Sequence, residues 1–171
     1  MPSFTTDTAA IPDMDRLVDL YGTAMLRMCC AYLGDEHLAC DAVQDSYIKI
    51  YRFWRTFDSP AAEKAWVLRI TINVCKDYLR NAWNRRVSLV EQYPELPATD
   101  TEHIEHGRLL QEITALKPKY KQVILLHYYQ DLSVNEIAQV LHAPQSTISV
   151  RLRRAKAILE ARLEGIPRED L

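Results

Sequence analysis

The sequence predicts an all-α protein, made of two small helical domains that a flexible acidic linker joins. Apolar residues recur every three or four positions in successive segments, and no segment alternates as a strand does. Residues 87–107 break this periodicity with two prolines, five acidic residues and no lysine or arginine. The predicted order is an N-terminal tail at 1–14, a first domain at 15–86, the linker at 87–107, a second domain at 108–164 and a C-terminal tail at 165–171.

The first domain should begin with two amphipathic helices. One is predicted from about Asp15 to Gly34, which is a suitable C-cap, and the next from about Asp35 to Trp54. Acidic residues in the first turn of the second helix suit its dipole. The predicted buried stripes are Leu17, Leu20, Tyr21, Ala24, Met28 and Tyr32, then Leu38, Ala42, Val43, Tyr47, Ile50, Tyr51 and Trp54.

A third helix is predicted from Ala65 to about Asn84, after a loop at 55–63 that Pro60 breaks. Residues 64–86 carry six basic residues and one acidic residue, so this helix is a candidate for nucleic-acid contact. Nearby Phe57, Trp66 and Trp83 offer stacking surfaces, although core packing is the preferred interpretation of Trp66. Val67, Ile70, Val74 and Tyr78 should be buried, while Arg69, Asn73, Lys76, Asp77 and Arg80 should share an exposed face. The alternative is that Asp77 simply pairs with Arg80 or Lys76.

The second domain should open with a helix from about Leu109 that Pro118 interrupts, where another begins. His127 has apolar neighbours and is interpreted as a packed histidine, not a ligand.

Residues 133–156 are typical of a helix-turn-helix. Ser133 and Glu136 form an S-x-x-E capping box, which predicts a helix from Val134. A short break follows, and the next helix should start at about Pro144. Its buried face would hold Ile148, Leu152, Ala155 and Leu159. Its outer face would hold Thr147, Val150, Arg151 and Arg154, flanked by Ser149 and Arg153. Arginines and small side chains on an outer face favour major-groove binding over a merely solvated helix.

Composition excludes several other classes. The four cysteines form no C-x-x-C pair and no histidine lies at metal-ligand spacing, so we expect reduced, mostly buried thiols and no metal or cofactor. No catalytic motif or signal peptide is present, and no apolar run approaches the length of a membrane span. The expected protein is not an enzyme, has no small-molecule substrate, and is soluble and cytoplasmic.

Three segments in order resemble the extracytoplasmic-function group of sigma-70 factors of bacterial RNA polymerase. They are DAVQDSYIKIYRF (41–53), AWVLRITINVCKDYLRN (65–81) and LKPKYKQVILLHYYQDLSVNEIAQVLHAPQSTISVRLRRAKAIL (116–159). The resemblance implies a transcription initiation factor that keeps only the second and fourth sigma domains. It also implies core RNA polymerase and promoter DNA as partners, an anti-sigma factor as a further partner, and a linker that threads the polymerase channels.

The resemblance assigns roles to individual positions. Asp41, Gln44 and Asp45 would bind the clamp helices of the polymerase β′ subunit, and the second domain would meet the β flap. The melted minus-ten element would contact Phe57, Arg69, Asn73, Lys76, Asp77 and Arg80. The duplex minus-thirty-five element would contact Thr147, Ser149, Val150, Arg151, Arg153 and Arg154.

The chain departs from the family pattern at Ser146, Ser149 and Val150, where the family usually has Gly, a basic residue and Ser. These changes leave the exact minus-thirty-five sequence open, and Val150 is suited to a thymine methyl group. A helix-turn-helix regulator with an N-terminal ligand- or partner-binding domain is the alternative function, and a helical adaptor or anti-sigma-like binder is a third. Neither explains the polar face from Arg69 to Arg80.

Overall fold

The computed structural model describes residues 11–88 and 104–163, and all regular structure in those ranges is helical. The N-terminal unit contains helices α1 (Met14–Leu33), α2 (Glu36–Arg52) and α3 (Pro60–Ser88). Asp13 caps α1 by accepting from the backbone N of Arg16 at 3.1 Å, and Asp35 caps α2 by accepting from Leu38 N at 2.9 Å. The predicted all-α fold and the first two helices are therefore confirmed.

Helix α3 starts five residues earlier than predicted. Pro60 is its first residue and not a loop breaker, because proline has no amide proton to leave unpaired at a helix start. The hydroxyl of Ser59 accepts from Ala62 N at 3.2 Å and caps this end. The extra turn brings Glu63 into the helix, where it is buried.

The C-terminal unit contains α4 (Ile104–Thr114), α5 (Pro118–Ile124), α6 (Val134–Leu141) and α7 (Gln145–Leu163). Helix α5 continues into a π-helical turn over Leu125–Tyr129. Residues 87–88 and 104–107 of the predicted linker are helical, whereas 89–103 lie outside the described residues. The same holds for residues 1–10 of the predicted N-terminal tail, for residue 164 and for the predicted C-terminal tail at 165–171.

The predicted helix-turn-helix is present between α6 and α7. Ser133 and Glu136 make both hydrogen bonds of the capping box: Glu136 N donates to Ser133 Oγ at 3.3 Å, and Ser133 N to Glu136 Oε2 at 2.8 Å. His142 ends α6 in the left-handed region at φ 49°. Pro144 lies one residue before α7, and its carbonyl accepts from Ile148 N at 3.1 Å. His127 is packed as predicted, with Nδ1 2.8 Å from the carbonyl of Leu132.

The two units pack against each other through one continuous hydrophobic core. Thr114 and Lys121 of the C-terminal unit cap the end of α1, where the last carbonyls have no partner inside the helix. Thr114 Oγ1 donates to the carbonyl of Ala31 at 3.1 Å, and Lys121 Nζ donates to that of Tyr32 at 2.8 Å. A lysine at a helix C-terminus is also favoured by the helix dipole. The C-terminal unit therefore completes a helix of the N-terminal one.

Two further contacts join the units. Lys64 Nζ donates to the carbonyl of Gln130 at 3.1 Å, and Gln130 Nε2 donates to the carbonyl of Ala24 at 3.4 Å. Lys121 itself is buried, and this burial lowers the pKa of its ammonium group to about 8. A lysine that is buried at this cost and donates to a helix end is a specific part of the interface.

Several residues of the predicted stripes are in fact exposed. The exposed fraction is 57% for Leu20, 40% for Leu38 and 57% for Tyr51, whereas Met25 and Cys29 are fully buried. Helix α1 is covered by the C-terminal unit as well as by α2 and α3, so its buried surface extends beyond the predicted stripe to Met25 and Cys29. A buried stripe that is predicted from the spacing within one helix takes no account of a second unit that covers the helix.

The cysteines only partly match the expectation of buried thiols. Cys29 and Cys75 are buried with their Sγ atoms 3.5 Å apart, Cys30 is half-buried, and Cys40 is exposed. The hydrogen bond with Cys75, together with burial, raises the pKa of the Cys29 thiol.

Within the described ranges, no helix combines the length and apolar character that crossing a membrane requires.

Candidate nucleic-acid interfaces

Helix α7 has a buried face and an outer face, as predicted. Ile148, Leu152, Ala155 and Leu159 are buried in the core. On the outer side, Val150 and Arg154 are exposed, while Thr147 and Arg151 are half-buried. These four predicted residues line one open cleft. The structure therefore brings Thr147, Val150, Arg151 and Arg154 together, and places cations beside an apolar side chain suited to a groove edge.

Ser149 and Arg153 lie on the other flank of α7. Both are exposed, and they line a second groove together with Lys156 and Glu160. The Nζ atom of Lys156 lies 5.4 Å from the centroid of the Tyr128 ring. The two predicted sets are thus on separate sides of one helix, as two sides of a helix in a groove would be.

Lys119 and Tyr120 were not predicted as site residues, but they line the same cleft as Arg151 and Arg154. A hydrogen bond from Arg154 lowers the pKa of the Tyr120 hydroxyl. Lys119 Nζ lies 5.0 Å from the Tyr120 ring centroid. Lys119 follows Pro118 at the start of α5, and only the packing of α5 on α7 brings it to the cleft.

The predicted polar face of α3 is present, although its charges are partly paired. Asn73 and Arg80 are exposed, whereas Lys76 and Asp77 are half-buried. Asp77 accepts from Arg80 Nη2 at 2.6 Å, as the alternative reading expected, and from Lys49 Nζ at 3.3 Å. Asp77 therefore orients two cations on this surface, and Asn73 is exposed beside them.

Phe57 belongs to an aromatic cluster, which we define as Trp54, Phe57 and Trp66. The ring centroids lie 5.3 Å apart for Trp54 and Phe57, and 5.2 Å apart for Phe57 and Trp66. Trp66 is buried, as the core interpretation expected, while Phe57 is half-buried. Edge-to-face packing of this kind fixes ring positions. Arg69 follows Trp66 by one turn of α3.

Asp41, Gln44 and Asp45 are all exposed on α2. The hydroxyl of Tyr78 donates to Asp45 Oδ2 at 2.7 Å, and burial, together with this hydrogen bond, raises the pKa of Tyr78 to about 12. Two apolar side chains, Ile48 and Tyr51, are also exposed here, at 54% and 57%. They follow Asp41, Gln44 and Asp45 at helical spacing, so the acidic face carries apolar contact area that the sequence interpretation placed partly in the core.

The polar face of α3 and the outer face of α7, which are the two basic faces of the protein, lie close together in this structure. Helix α3 packs against α6, and the field of Arg151 adds to burial in lowering the pKa of Lys76. No group of three or more potential metal-ligating side chains is found within 11–88 and 104–163. Helices α3 and α7 carry arginines, lysines, amides and hydroxyls, which are the groups that contact phosphates and bases in protein–DNA complexes.

Comparison with known proteins matches both units to one family. Residues 17–85 match the model of Sigma-70 region 2, and residues 106–159 match that of Sigma-70 region 4. The chain is 30% identical over 160 residues to the ECF RNA polymerase sigma factor SigE of Mycolicibacterium smegmatis, covering 89% of this chain and 62% of that protein. It is 27% identical to SigW of Bacillus subtilis, covering 88% of each.

Solved structures agree on the fold. The sigma factor RpoE of Bartonella quintana, in complex with the anti-sigma factor NepR, superposes with a TM-score of 0.71 at 19% identity, covering 91% of this chain and 99% of that one. CnrH, in complex with the cytosolic domain of CnrY, superposes with a TM-score of 0.68 at 24% identity, covering 90% and 88%. Because the two sigma-70 models together match more than two thirds of the residues, the chain belongs to the sigma-70 family, in its extracytoplasmic-function group of RNA polymerase sigma factors.

Proposed function

We propose that this chain directs core RNA polymerase to promoters by gripping them at two points. In this proposal region 2, at residues 15–86, holds the minus-ten element as unpaired DNA, and region 4, at 108–164, holds the minus-thirty-five element as duplex. The observation that carries it is the presence of two basic faces, on α3 and α7, in one chain whose two units match the same family. A regulator with only a helix-turn-helix would leave the α3 face without a role.

At the minus-ten element, the chain would stabilise DNA that has lost its pairing. Opening the duplex costs a few kcal/mol of stacking and pairing for each extruded base, which contacts with that base offset. Phe57 would border the captured base, and Asn73 would hydrogen-bond to its edge. Arg69, Lys76 and Arg80 would hold the strand, with Asp77 keeping Arg80 in place through the contact at 2.6 Å.

At the minus-thirty-five element, α7 would enter the major groove. Thr147, Val150, Arg151 and Arg154 would face base edges or the nearer strand, and Ser149 and Arg153 the other side. Lys119 and Tyr120 extend the basic cleft toward a backbone phosphate, because they lie beside Arg154 but on a different helix. Phosphate contacts of this kind set orientation, and base contacts set specificity.

Polymerase would bind the acidic face of α2. Asp41, Gln44 and Asp45 complement basic clamp helices of the β′ subunit, and Ile48 and Tyr51 supply apolar contact. We also propose that region 4 binds the β flap and that the linker at 87–107 lies in the polymerase channels. An anti-sigma factor would regulate the chain. Because bacterial transcription takes place in the cytoplasm, we infer that the chain acts there. The polymerase, not this chain, makes the phosphodiester bonds.

This function requires the two regions to separate. The two promoter elements are centred about 25 base pairs apart, or about 85 Å at a rise of 3.4 Å per base pair. In the structure α3 packs directly against α6, so the two basic faces are too close to reach both elements at once. The contacts of Thr114, Lys121 and Gln130 with α1 must therefore break when the promoter is bound.

The proposal is tested by reconstitution. The purified chain should bind core RNA polymerase, and the resulting holoenzyme should initiate from promoters that it selects from a randomised DNA pool. A chain that binds duplex operators but never polymerase would be a helix-turn-helix regulator instead.

Replacing Asn73 by alanine should impair promoter opening far more than polymerase binding. Asn73 is exposed on α3 and carries no structural hydrogen bond among the described residues, so its loss removes a base contact without disturbing the fold. We expect open complexes, measured by permanganate reactivity of unpaired thymines, to fall about tenfold, which corresponds to about 1.4 kcal/mol. The control is Asn81→Ala, which removes an exposed asparagine two turns further along α3 and outside the predicted site. Equal loss of opening and polymerase affinity would contradict the assignment.

Replacing Arg154 by alanine should weaken binding to minus-thirty-five duplex DNA about tenfold and lower the salt dependence of that binding by about one ion. Polymerase binding should be unchanged. Because Arg154 lowers the pKa of Tyr120, that pKa should also rise in the variant, which ultraviolet titration can follow. Arg27→Ala, which removes an exposed charge from α1, is the matched control. Unchanged affinity would remove Arg154 from the site.

A further inference from the structure

Two arginines lie beside the aromatic cluster of Trp54, Phe57 and Trp66. The guanidinium carbon of Arg55 is 5.3 Å from the centroid of the Phe57 ring and 5.9 Å from that of Trp66. Arg55 lies in the short segment between α2 and α3, and it is exposed. Stacking on aromatic faces favours one orientation of a guanidinium group, which lowers the entropy that it loses when it binds. Arg55 is thus an exposed cation that is already oriented.

Arg69 is the second arginine, one turn after Trp66 on α3. Its Nε atom is buried and has no hydrogen-bond partner in the described part of the chain. Burial, together with the nearby charge of Arg55, lowers the pKa of the Arg69 guanidinium. The two cations therefore lie close enough to repel each other.

Within the described part of the chain, neither arginine has an acid to offset this repulsion. Among the ion pairs of residues 11–88 and 104–163, none includes Arg55 or Arg69. This differs from Arg16 and Arg80, each of which contacts a carboxylate at 2.7 Å or less. Two adjacent guanidinium groups without an acidic partner among the described residues, next to the half-buried Phe57 ring, form a positive site whose repulsion an anion would relieve.

We propose that Arg55 and Arg69 together bind one phosphodiester group of the unpaired minus-ten strand, adjacent to the base held at the aromatic cluster. This inference rests on the proposed function, and it adds Arg55, which lies outside the polar face of α3. Guanidinium forks match phosphate oxygens in geometry, and a phosphate between the two arginines would satisfy charges that the protein leaves unpaired. Fixing the backbone there would limit the positions open to the neighbouring base, so Arg55 would act as a positioning residue.

The test uses holoenzyme reconstituted from the full chain and fork-junction DNA with a single-stranded minus-ten element. Arg55→Gln should weaken binding about tenfold and lower the salt dependence by about 0.7 of an ion, as expected for one contact with a single strand. Arg55→Lys keeps the charge but not the guanidinium fork, so its affinity should lie between those of the unaltered protein and Arg55→Gln. Arg52→Gln is the matched control, because Arg52 is also exposed and lies 6.0 Å from an aromatic ring, that of Phe53. It should bind as the unaltered protein does.

Neutralising single phosphates as methylphosphonates locates the contact. At one position, neutralisation should weaken binding by the unaltered holoenzyme about tenfold and have little further effect on Arg55→Gln. The inference would be overturned if Arg55→Gln bound as the unaltered protein does, or if each methylphosphonate weakened binding by both proteins by the same factor. Either result would leave the proposed function intact. Failure of the unaltered chain to bind polymerase or fork DNA would overturn both. Equal melting temperatures of the variants would show that the losses do not come from unfolding.

Discussion

Replacing Gly34 by alanine should loosen region 4 from region 2 and destabilise the protein by about 2 to 4 kcal/mol. Gly34 has φ 70°, in the left-handed region, where a side chain costs roughly 1 to 2 kcal/mol. A Cβ atom there would lie 2.7 Å from Cγ2 of Thr114, so the Thr114 side chain must rotate out of its hydrogen bonds or α4 must move away from α1. We expect a lower free energy of unfolding in urea, and faster hydrogen exchange at amides of α4 and α5.

Two further variants separate the clash from the backbone strain. Thr114→Ser removes the methyl group but keeps the hydroxyl that donates to the carbonyls of Ala31 and Leu110, so adding it to Gly34→Ala should recover the part due to the clash. Gly107→Ala is the control, because a Cβ atom at Gly107 meets nothing within 4 Å. It lies inside α4 and should be neutral or stabilising by about 0.5 to 1 kcal/mol. Equal destabilisation at both glycines would refute this account.

Replacing Glu63 by alanine should destabilise region 2 by about 2 to 3 kcal/mol. The buried carboxylate of Glu63 accepts from Arg16 at 3.0 and 2.7 Å and from the Tyr21 hydroxyl at 2.9 Å, which ties the start of α1 to the start of α3. Its loss leaves Tyr21 and Arg16 without their acceptor. Because 42% of the Arg16 side chain is exposed, water replaces part of that contact, and we expect less than a fully buried pair would lose. Urea denaturation measures the loss.

Acid should erase this difference. The hydrogen bond from Arg16 lowers the pKa of Glu63 below its ordinary value of 4.5, so the unfolded chain takes up the proton first as pH falls. The stability due to Glu63 is therefore fully present above pH 4.5 and is lost as pH falls through the lowered value. The gap between the unaltered protein and Glu63→Ala should shrink in that range. A constant gap, or losses in Arg16→Ala and Glu63→Ala that simply add, would show that the pair does not interact.

Local chemistry explains which parts of the site could be predicted. Ser133 and Glu136 lie three residues apart and satisfy each other's backbone groups without any distant partner, so the start of α6 follows from four consecutive residues. The outer face of α7 likewise follows from helical spacing alone. The prediction of Pro60 as a breaker is wrong because Ser59 caps a helix that starts at Pro60, and the burial of Glu63 depends on that extra turn.

The sequence by itself determined the helices, the family and the two basic faces, because helical spacing, caps and charge are properties of neighbouring residues. Only the tertiary structure decided what meets across the chain. It placed Lys119 and Tyr120 beside Arg154, set Arg55 against the aromatic cluster, and closed region 4 onto the end of α1 through Thr114 and Lys121. The contacts made by Tyr120, Thr114 and Lys121 join residues 34 to 89 positions apart, and their energy depends on burial and on partners that no local pattern contains.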